Sequence, residues 1–390
     1  MNDRIRKLRE QSLTAIPVIS IERARLLTEF YKSGAAERVS MPVARALAFK
    51  YILEHKSICI NPGELIVGER GPAPKATPTY PEICTHTLDD FDIINSREKI
   101  PFKVDNETLE FQRDSIIPFW PGRSLRDRLF DVVDSEWIDA YKAGIFTEFQ
   151  EQRAPGHTVL DDKIYKRGFV DFKSDIENSI AKLDFYLDPE ALNRREQLTA
   201  MSITADAVIA FSGRYAEALG TLANTETDQD IKEELLEMEK ICRHVPTNAP
   251  RTFWEALQYY WFVHLCVITE LNTWDSFNPG RLDQHLWPFY QREIDAGTLT
   301  KERARELLQS FWIKFNNQPA PPKVGVTAKE SATYTDFCLI NLGGVTRSGE
   351  DATNDLTYLI LEVIEEMRIL QPSSMVQISK KNPDRLIKHA

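Results

Sequence analysis

Residues 336–379 constrain the fold most. DFCLINLGG (336–344) is a short apolar run closed by two glycines, and MVQIS (375–379) is a second such run. Between them Leu356, Leu359, Ile360, Val363, Ile364 and Met367 recur at helical spacing. Strand, helix and strand in this order make a βαβ unit, whose crossover joins parallel strands. A parallel sheet needs more strands than this region supplies, because it is covered on both faces. Asn382-Pro383 starts another helical pattern that reaches Ala390 about two turns later. The expected fold class is α/β, helix-rich, with an incomplete sheet or barrel.

Helical patterns dominate the rest. They cover residues 20–33, 42–56, about 123–143, 171–187, 189–224, 228–243, 250–270, 280–296 and 300–316. The clearest is the last, where Thr300 can cap and Ala304, Leu307, Leu308, Phe311, Trp312 and Phe315 form one stripe. SICINPGELIVGERG (57–71) reads as strand–turn–strand around Asn61-Pro62-Gly63. Residues 72–121 are rich in proline and read as a long ordered excursion or lid.

Composition narrows the function. A net charge of −11 without a basic block argues against nucleic acid or an anionic membrane as partner. No apolar run reaches the length of a membrane span, and MNDRIRKLREQ lacks the apolar core of a signal peptide. The five cysteines are widely spaced, which suits reduced thiols and a cytoplasmic location. Walker, GxGxxG, GxSxG and HExxH signatures do not occur, and the histidines lack metal-ligand spacing, so no metal is expected.

Three segments carry residues that plain packing does not explain. EFQEQRAPGHTV (148–159) presents His157 behind proline and glycine, either as a proton donor or acceptor or as a solvated turn residue. NNQPAPPKVGVTAKESATYTDFCLINLGG (316–344) leads a run of hydroxyls to Asp336 at the mouth of a strand. Those hydroxyls could orient a small polar ligand or satisfy their own backbone. YYWFVHLCVITELNTWDSFNPGRLDQHLWPFY (259–290) sets Glu270, Asp275, Arg281 and Asp283 among aromatic rings, an arrangement more often structural than catalytic.

At these places the chain resembles a known family. GELIVGERG (63–71), PTYPEICTH (78–86), IIPFWPGRS (116–124), EFQEQRAPGHTV, NPGRLDQHLWPFY (278–290), KFNNQPAPPKVG (314–325), ESATYTDF (330–337) and QPSSMVQISKKNP (371–383) are similar, in order, to the first half of glycyl radical enzymes of the pyruvate formate-lyase superfamily. QRAPGHTV with APPKVGxTxKESxTYTDF resembles the 4-hydroxyproline dehydratase branch in particular.

The resemblance implies a ten-stranded barrel of two parallel half-sheets, of which residues 1–390 are the N-terminal part. Helices fill the region to about 320, and the first half-barrel strands and helices run from about 321 to 390. It implies a lyase that dehydrates trans-4-hydroxy-L-proline when full length. Formate acetyltransferase, glycerol or diol dehydratase, choline or isethionate lyase, and a non-catalytic half-barrel are the alternatives. By the same resemblance His157 and Asp336 are catalytic, while Phe149, Ser331 and Phe337 bind a small amino-acid-like substrate. The family's GCVE-like cysteine and RVxGY-like radical glycine do not occur in these 390 residues. The chain alone is therefore expected to be inactive and to bind no cofactor. The glycyl radical would lie in a C-terminal part, installed by a radical S-adenosylmethionine iron–sulfur activating enzyme. A homodimer is implied for the intact protein.

Overall fold

The computed structural model describes residues 1–145, 160–271, 278–325, 328 and 338–390. Its helices are α1 (Asp3–Thr14), α2 (Glu22–Lys32), α3 (Met41–His55), α4 (Leu88–Ser96), α5 (Asn106–Phe111), α6 (Ile117–Phe119), α7 (Leu125–Phe130) and α8 (Ser135–Lys142). Then come α9 (Phe169–Ala181), α10 (Ala191–Thr225), α11 (Gln229–His244), α12 (Phe253–Glu270), α13 (Leu282–Asp295), α14 (Lys301–Asn316), α15 (Asp355–Met367) and α16 (Asp384–His389). Among the described residues five strands interrupt them: β1 (Val18–Ser20), β2 (Ala76–Pro78), β3 (Gly280–Arg281), β4 (Leu339–Gly343) and β5 (Ser373–Gln377).

The helical body is built around α12. Its sequence is apolar on every face, and such a helix is stable only when surrounded. Residues from Phe253 to Thr269 are nearly all buried. Thr252 and Glu255 close its first turn as a capping box, satisfying backbone donors that the helix itself cannot. The stripe foreseen on α14 lies in the same core, and Thr300 accepts from Arg303 N as its cap. Helix α10 packs against α3, α9 and α11.

Strands β3, β4 and β5 form a parallel sheet in that order, with Gly280 opposite Ile340 and Ile340 opposite Ser374. The β4–α15–β5 crossover is the unit expected from residues 336–379. Asn354 and Thr357 start α15 as a capping box, and Leu356, Leu359, Ile360, Val363 and Met367 are buried. The short β3 was not foreseen, because two residues carry no periodicity. It takes residues 280–281 from the predicted helix, which begins at Leu282.

Residues 57–71 are not a strand–turn–strand. Leu65, Ile66 and Val67 are buried, but side chains rather than a ladder satisfy their backbone. Gln258 bonds both Val67 N and Val67 O at 2.9 Å, Trp254 donates to Leu65 O, and Trp261 donates to Gly68 O. Gly68 has φ of 126°, and a Cβ there would fall 2.8 Å from Leu265. The backbone lies directly on α12. Residues 72–121 are ordered and built into the body: β2 pairs in parallel with β1, while Phe91, Ile94 and Phe102 pack on Ile19.

Candidate functional site

Five residues singled out from the resemblance lie outside the described residues. Phe149 and His157 belong to 146–159, and Ser331, Asp336 and Phe337 belong to 329–337. Asp275, in 272–277, does as well. The scaffold around these segments is described, and it ties their ends together.

Two starts adjoin. Helix α8 delivers Tyr141 four residues before Ile145, and Tyr141 Oη accepts from Arg126 Nη2 at 2.7 Å. Gly325, at the head of the second segment, has φ of 59°, and a Cβ there would sit 3.1 Å from both atoms. Only glycine combines that left-handed turn with so close an approach. Asp90, the partner of the cap Thr87 in the α4 capping box, accepts from Gly325 N at 2.7 Å, and Arg97 donates to Ala328 O at 2.9 Å.

Two ends adjoin too. Asn278 Oδ1 accepts from Leu339 N at 2.7 Å, so the chain leaving 272–277 is bonded to the chain leaving 329–337. After the first segment, Asp161 Oδ1 lies 3.4 Å from His285 Nε2 on α13. Leu160 and Leu271 border one cavity of about 960 Å³ between α3, α9, α10 and α12.

Buried charge holds this frame. Lys314 Nζ lies 2.7 Å from Glu64 and 2.6 Å from Glu69, and Asn317 and Gln318 complete the Glu69 carboxylate. Burial alone would lower the Lys314 pKa, but the two carboxylates outweigh it and raise it. Arg23 donates to Thr269 O at 2.6 Å and to Glu270 O at 3.3 Å, taking up carbonyls that α12 leaves free at its C-terminus. The same guanidinium pairs with Glu82 at 2.6 Å and stacks 4.0 Å above the Tyr80 ring. Arg23 thus sets where the chain departs toward 272–277. No sequence signal pointed to it, since the α12 carbonyl it binds lies 246 residues away.

The described charged residues of the aromatic segment, Glu270, Arg281 and Asp283, bind partners within the fold. Glu270 pairs with Arg45. Arg281 donates to Gly343 O at 2.8 Å, Asp283 accepts from Gly343 N at 2.8 Å and from Thr357 Oγ1 at 2.7 Å, and Gln284 donates to Ala352 O. PGRLDQ is therefore the joint that splices β3 and α13 to the β4 turn and α15. His264 is packed between Trp261 and Phe315, 3.1 Å from Tyr260 Oη. Burial, helped by nearby Arg70, pushes its pKa down to about 3, so it stays neutral. Among the described residues no cluster of three His, Cys, Asp or Glu side chains could hold a metal ion. None of their helices is long and apolar enough to cross a membrane. Cys338, the first described residue after the second segment, is fully buried.

The chain is 52% identical over 388 residues to trans-4-hydroxy-L-proline dehydratase of Clostridioides difficile, covering 100% of this chain and 49% of that protein. It is 30% identical over 393 residues to (2S)-3-sulfopropanediol dehydratase of Klebsiella oxytoca, covering 98% and 47%. The Clostridioides difficile hydroxyproline dehydratase crystal structure, with substrate trans-4-hydroxy-L-proline bound, superposes with a TM-score of 0.96 over 100% of this chain and 49% of that one. The glycerol-bound B12-independent glycerol dehydratase of Clostridium butyricum gives 0.93 at 29% identity, with the same coverage. The chain spans about half the length of these relatives. A pyruvate formate lyase-like profile matches residues 1–390 throughout, and the chain belongs to the pyruvate formate lyase-like family.

Proposed function

We propose that this chain forms the N-terminal half of a glycyl radical dehydratase that removes water from trans-4-hydroxy-L-proline. The observation that carries the reading is the shared anchoring of three segments. The starts of two adjoin at Tyr141 and Gly325, and the ends of two adjoin at Asn278 and Leu339. Residues borne on segments so anchored can act on one small molecule. The 52% identity to a hydroxyproline dehydratase along the whole chain supports the substrate.

In this reading the glycyl radical supplies hydrogen-atom abstraction from polypeptide equivalent to the relatives' other half, where an S-adenosylmethionine-dependent activating enzyme installs it. The residues of this chain bind and move protons. Ser331 donates to the substrate carboxylate, and Asp336 pairs with the ring ammonium or holds His157 protonated. His157 as a cation gives its proton to the departing hydroxyl, which leaves as water. Phe149 and Phe337 wall the ring and keep bulk water away.

The test co-produces this chain with the equivalent of the remaining half, activates it anaerobically and follows loss of hydroxyproline. Turnover is expected, with His157→Gln and Asp336→Asn each lowering kcat by roughly 10²- to 10⁴-fold. Full turnover in both variants removes the assigned roles. Turnover of a diol in place of hydroxyproline moves the chain to another lyase of the family.

A further inference from the structure

The buried cations of the helical body are compensated in different ways, and Arg70 stands apart from the others described above. Arg23 pairs with Glu82, and Lys314 is held by Glu64 and Glu69. Lys56 donates to Glu69 O at 2.9 Å, and burial brings its pKa down to about 8, so it can shed its charge. A guanidinium has no such exit, because it stays protonated in proteins. Arg70 is 2% exposed, and its Nη2 donates to the carbonyl of Pro319. Its Nε and Nη1 meet no acceptor from the protein. Among the described residues no carboxylate forms an ion pair with it, although a buried charge is costly unless an opposite charge meets it.

A second unanswered group lies beside it. Residues 68–70 run along α12, where Trp261 Nε1 donates to Gly68 O at 2.9 Å and stacks on His264. His264 is fully buried, Tyr260 Oη lies 3.1 Å from its Nδ1, and its Nε2 has no partner. When the phenol donates to Nδ1, the neutral ring carries its proton on Nε2 and offers it inward. Tyr80 closes the far side with its hydroxyl on Ile268 O. Several N–H donors, one of them cationic, thus face an enclosure with no negative charge of its own.

We propose that Arg70 and His264 form a buried binding site for a small monovalent inorganic anion of chloride's size, enclosed by α12, Tyr80 and Pro319. Water would satisfy the N–H bonds and leave the charge unmatched. The walls are buried on every side, which excludes a substrate carboxylate that must enter and leave at each turnover. The anion is therefore a structural ligand, taken up as the body folds, and the site does not depend on the proposed reaction.

Two measurements test it. The 390-residue chain is unfolded with urea at fixed ionic strength while sodium chloride replaces sodium gluconate, whose anion is too large for the enclosure. Above the dissociation constant, each tenfold rise in chloride is expected to raise the folding equilibrium constant about tenfold. A midpoint indifferent to the exchange overturns the site. Arg70→Gln is expected to abolish the dependence. His264→Phe keeps an aromatic ring against Trp261 and is expected to weaken chloride binding about tenfold or more. Undiminished dependence in Arg70→Gln places the anion elsewhere and overturns the assignment, and unchanged affinity in His264→Phe removes that residue from it. Should Arg70→Gln not fold, wild-type crystals grown in sodium bromide decide. An anomalous bromide peak beside Arg70 is expected, and density there without anomalous signal, that of water, overturns the site.

Discussion

The helical body and the β3–β4–β5 sheet solve opposite problems. Helix α12 is apolar all round, and nearly all its residues are buried by elements of its own chain. Strand β4 alternates and buries Ile340 and Leu342. Strand β5 is exposed along nearly its whole length, with Met375 at 47% and Ile378, just past its end, at 59%. Parallel strands normally have both faces covered. Stability is thus concentrated in the body, while the outer strand of the sheet contributes little by packing.

The contrast is broken most forcefully at Lys314, where the body stores buried charge. Lys314→Met leaves Glu64 and Glu69 side by side without their cation. Removing one partner of a buried ionic group costs about 3–5 kcal/mol, so the denaturant midpoint should fall steeply. A midpoint unchanged in Lys314→Met would show that the body does not depend on this triad.

The two regions also differed in how far the sequence disclosed them. The β4–α15–β5 unit was legible, because Leu356 to Met367 repeat at helical spacing between two apolar runs closed by glycine or polar residues. Thr300 was legible as a cap for the same local reason. Residues 57–71 were misread: their apolar runs do bury, yet Gln258, Trp254 and Trp261 supply the hydrogen bonds from about 190 residues away. Local pattern reports burial and does not report which partner completes the backbone. Arg23 and Asn278 were illegible for that reason, since each acts on a backbone atom brought near only by the fold. The motif stretches around Phe149, His157, Ser331, Asp336 and Phe337 were recognisable as words, while their geometry lies outside the described residues.

The joint between the two regions should rank second. Asp283→Ala removes the acceptor of Gly343 N and Thr357 Oγ1, leaving a buried donor unmade at a cost of about 1–3 kcal/mol. Asp283→Asn keeps one oxygen for both donors, and it should lie within about 1 kcal/mol of the wild type. Hydrogen exchange at Gly343 separates the cases: fast exchange in the alanine variant and slow exchange in the asparagine variant are expected. Equal protection in both would mean that the joint is held elsewhere.

Acid should act on the two regions with opposite sign. Burial raises the Asp283 pKa above the usual carboxylate range, only partly opposed by Gly343 N–H and Thr357. The folded state therefore takes up that proton before the unfolded chain does, and this contribution favours folding at low pH and fades as pH rises through the folded value. On the α14–α15 contact, burial pulls Glu362 upward, but Arg305 and Lys301 outweigh it and hold its pKa below the usual range. That stabilisation is present above the ordinary carboxylate range and is lost as pH falls through the depressed value. Arg305→Ala should consequently flatten the acid limb of the stability curve, and Asp283→Asn should steepen it. A parallel shift of the whole curve in both variants would contradict this assignment.

The smallest effect belongs to β5. Met375 already meets water, so Met375→Lys loses little buried area and should change stability by less than about 0.5 kcal/mol. Ile340→Ala, one strand inward and fully buried, should cost about 2–5 kcal/mol by leaving a cavity in the core. The pair therefore measures the gradient across a single sheet. If Met375→Lys destabilises as much as Ile340→Ala, β5 is covered in solution by contacts that burial in the single chain does not reveal, and the outer strand would have to be counted as part of the closed core.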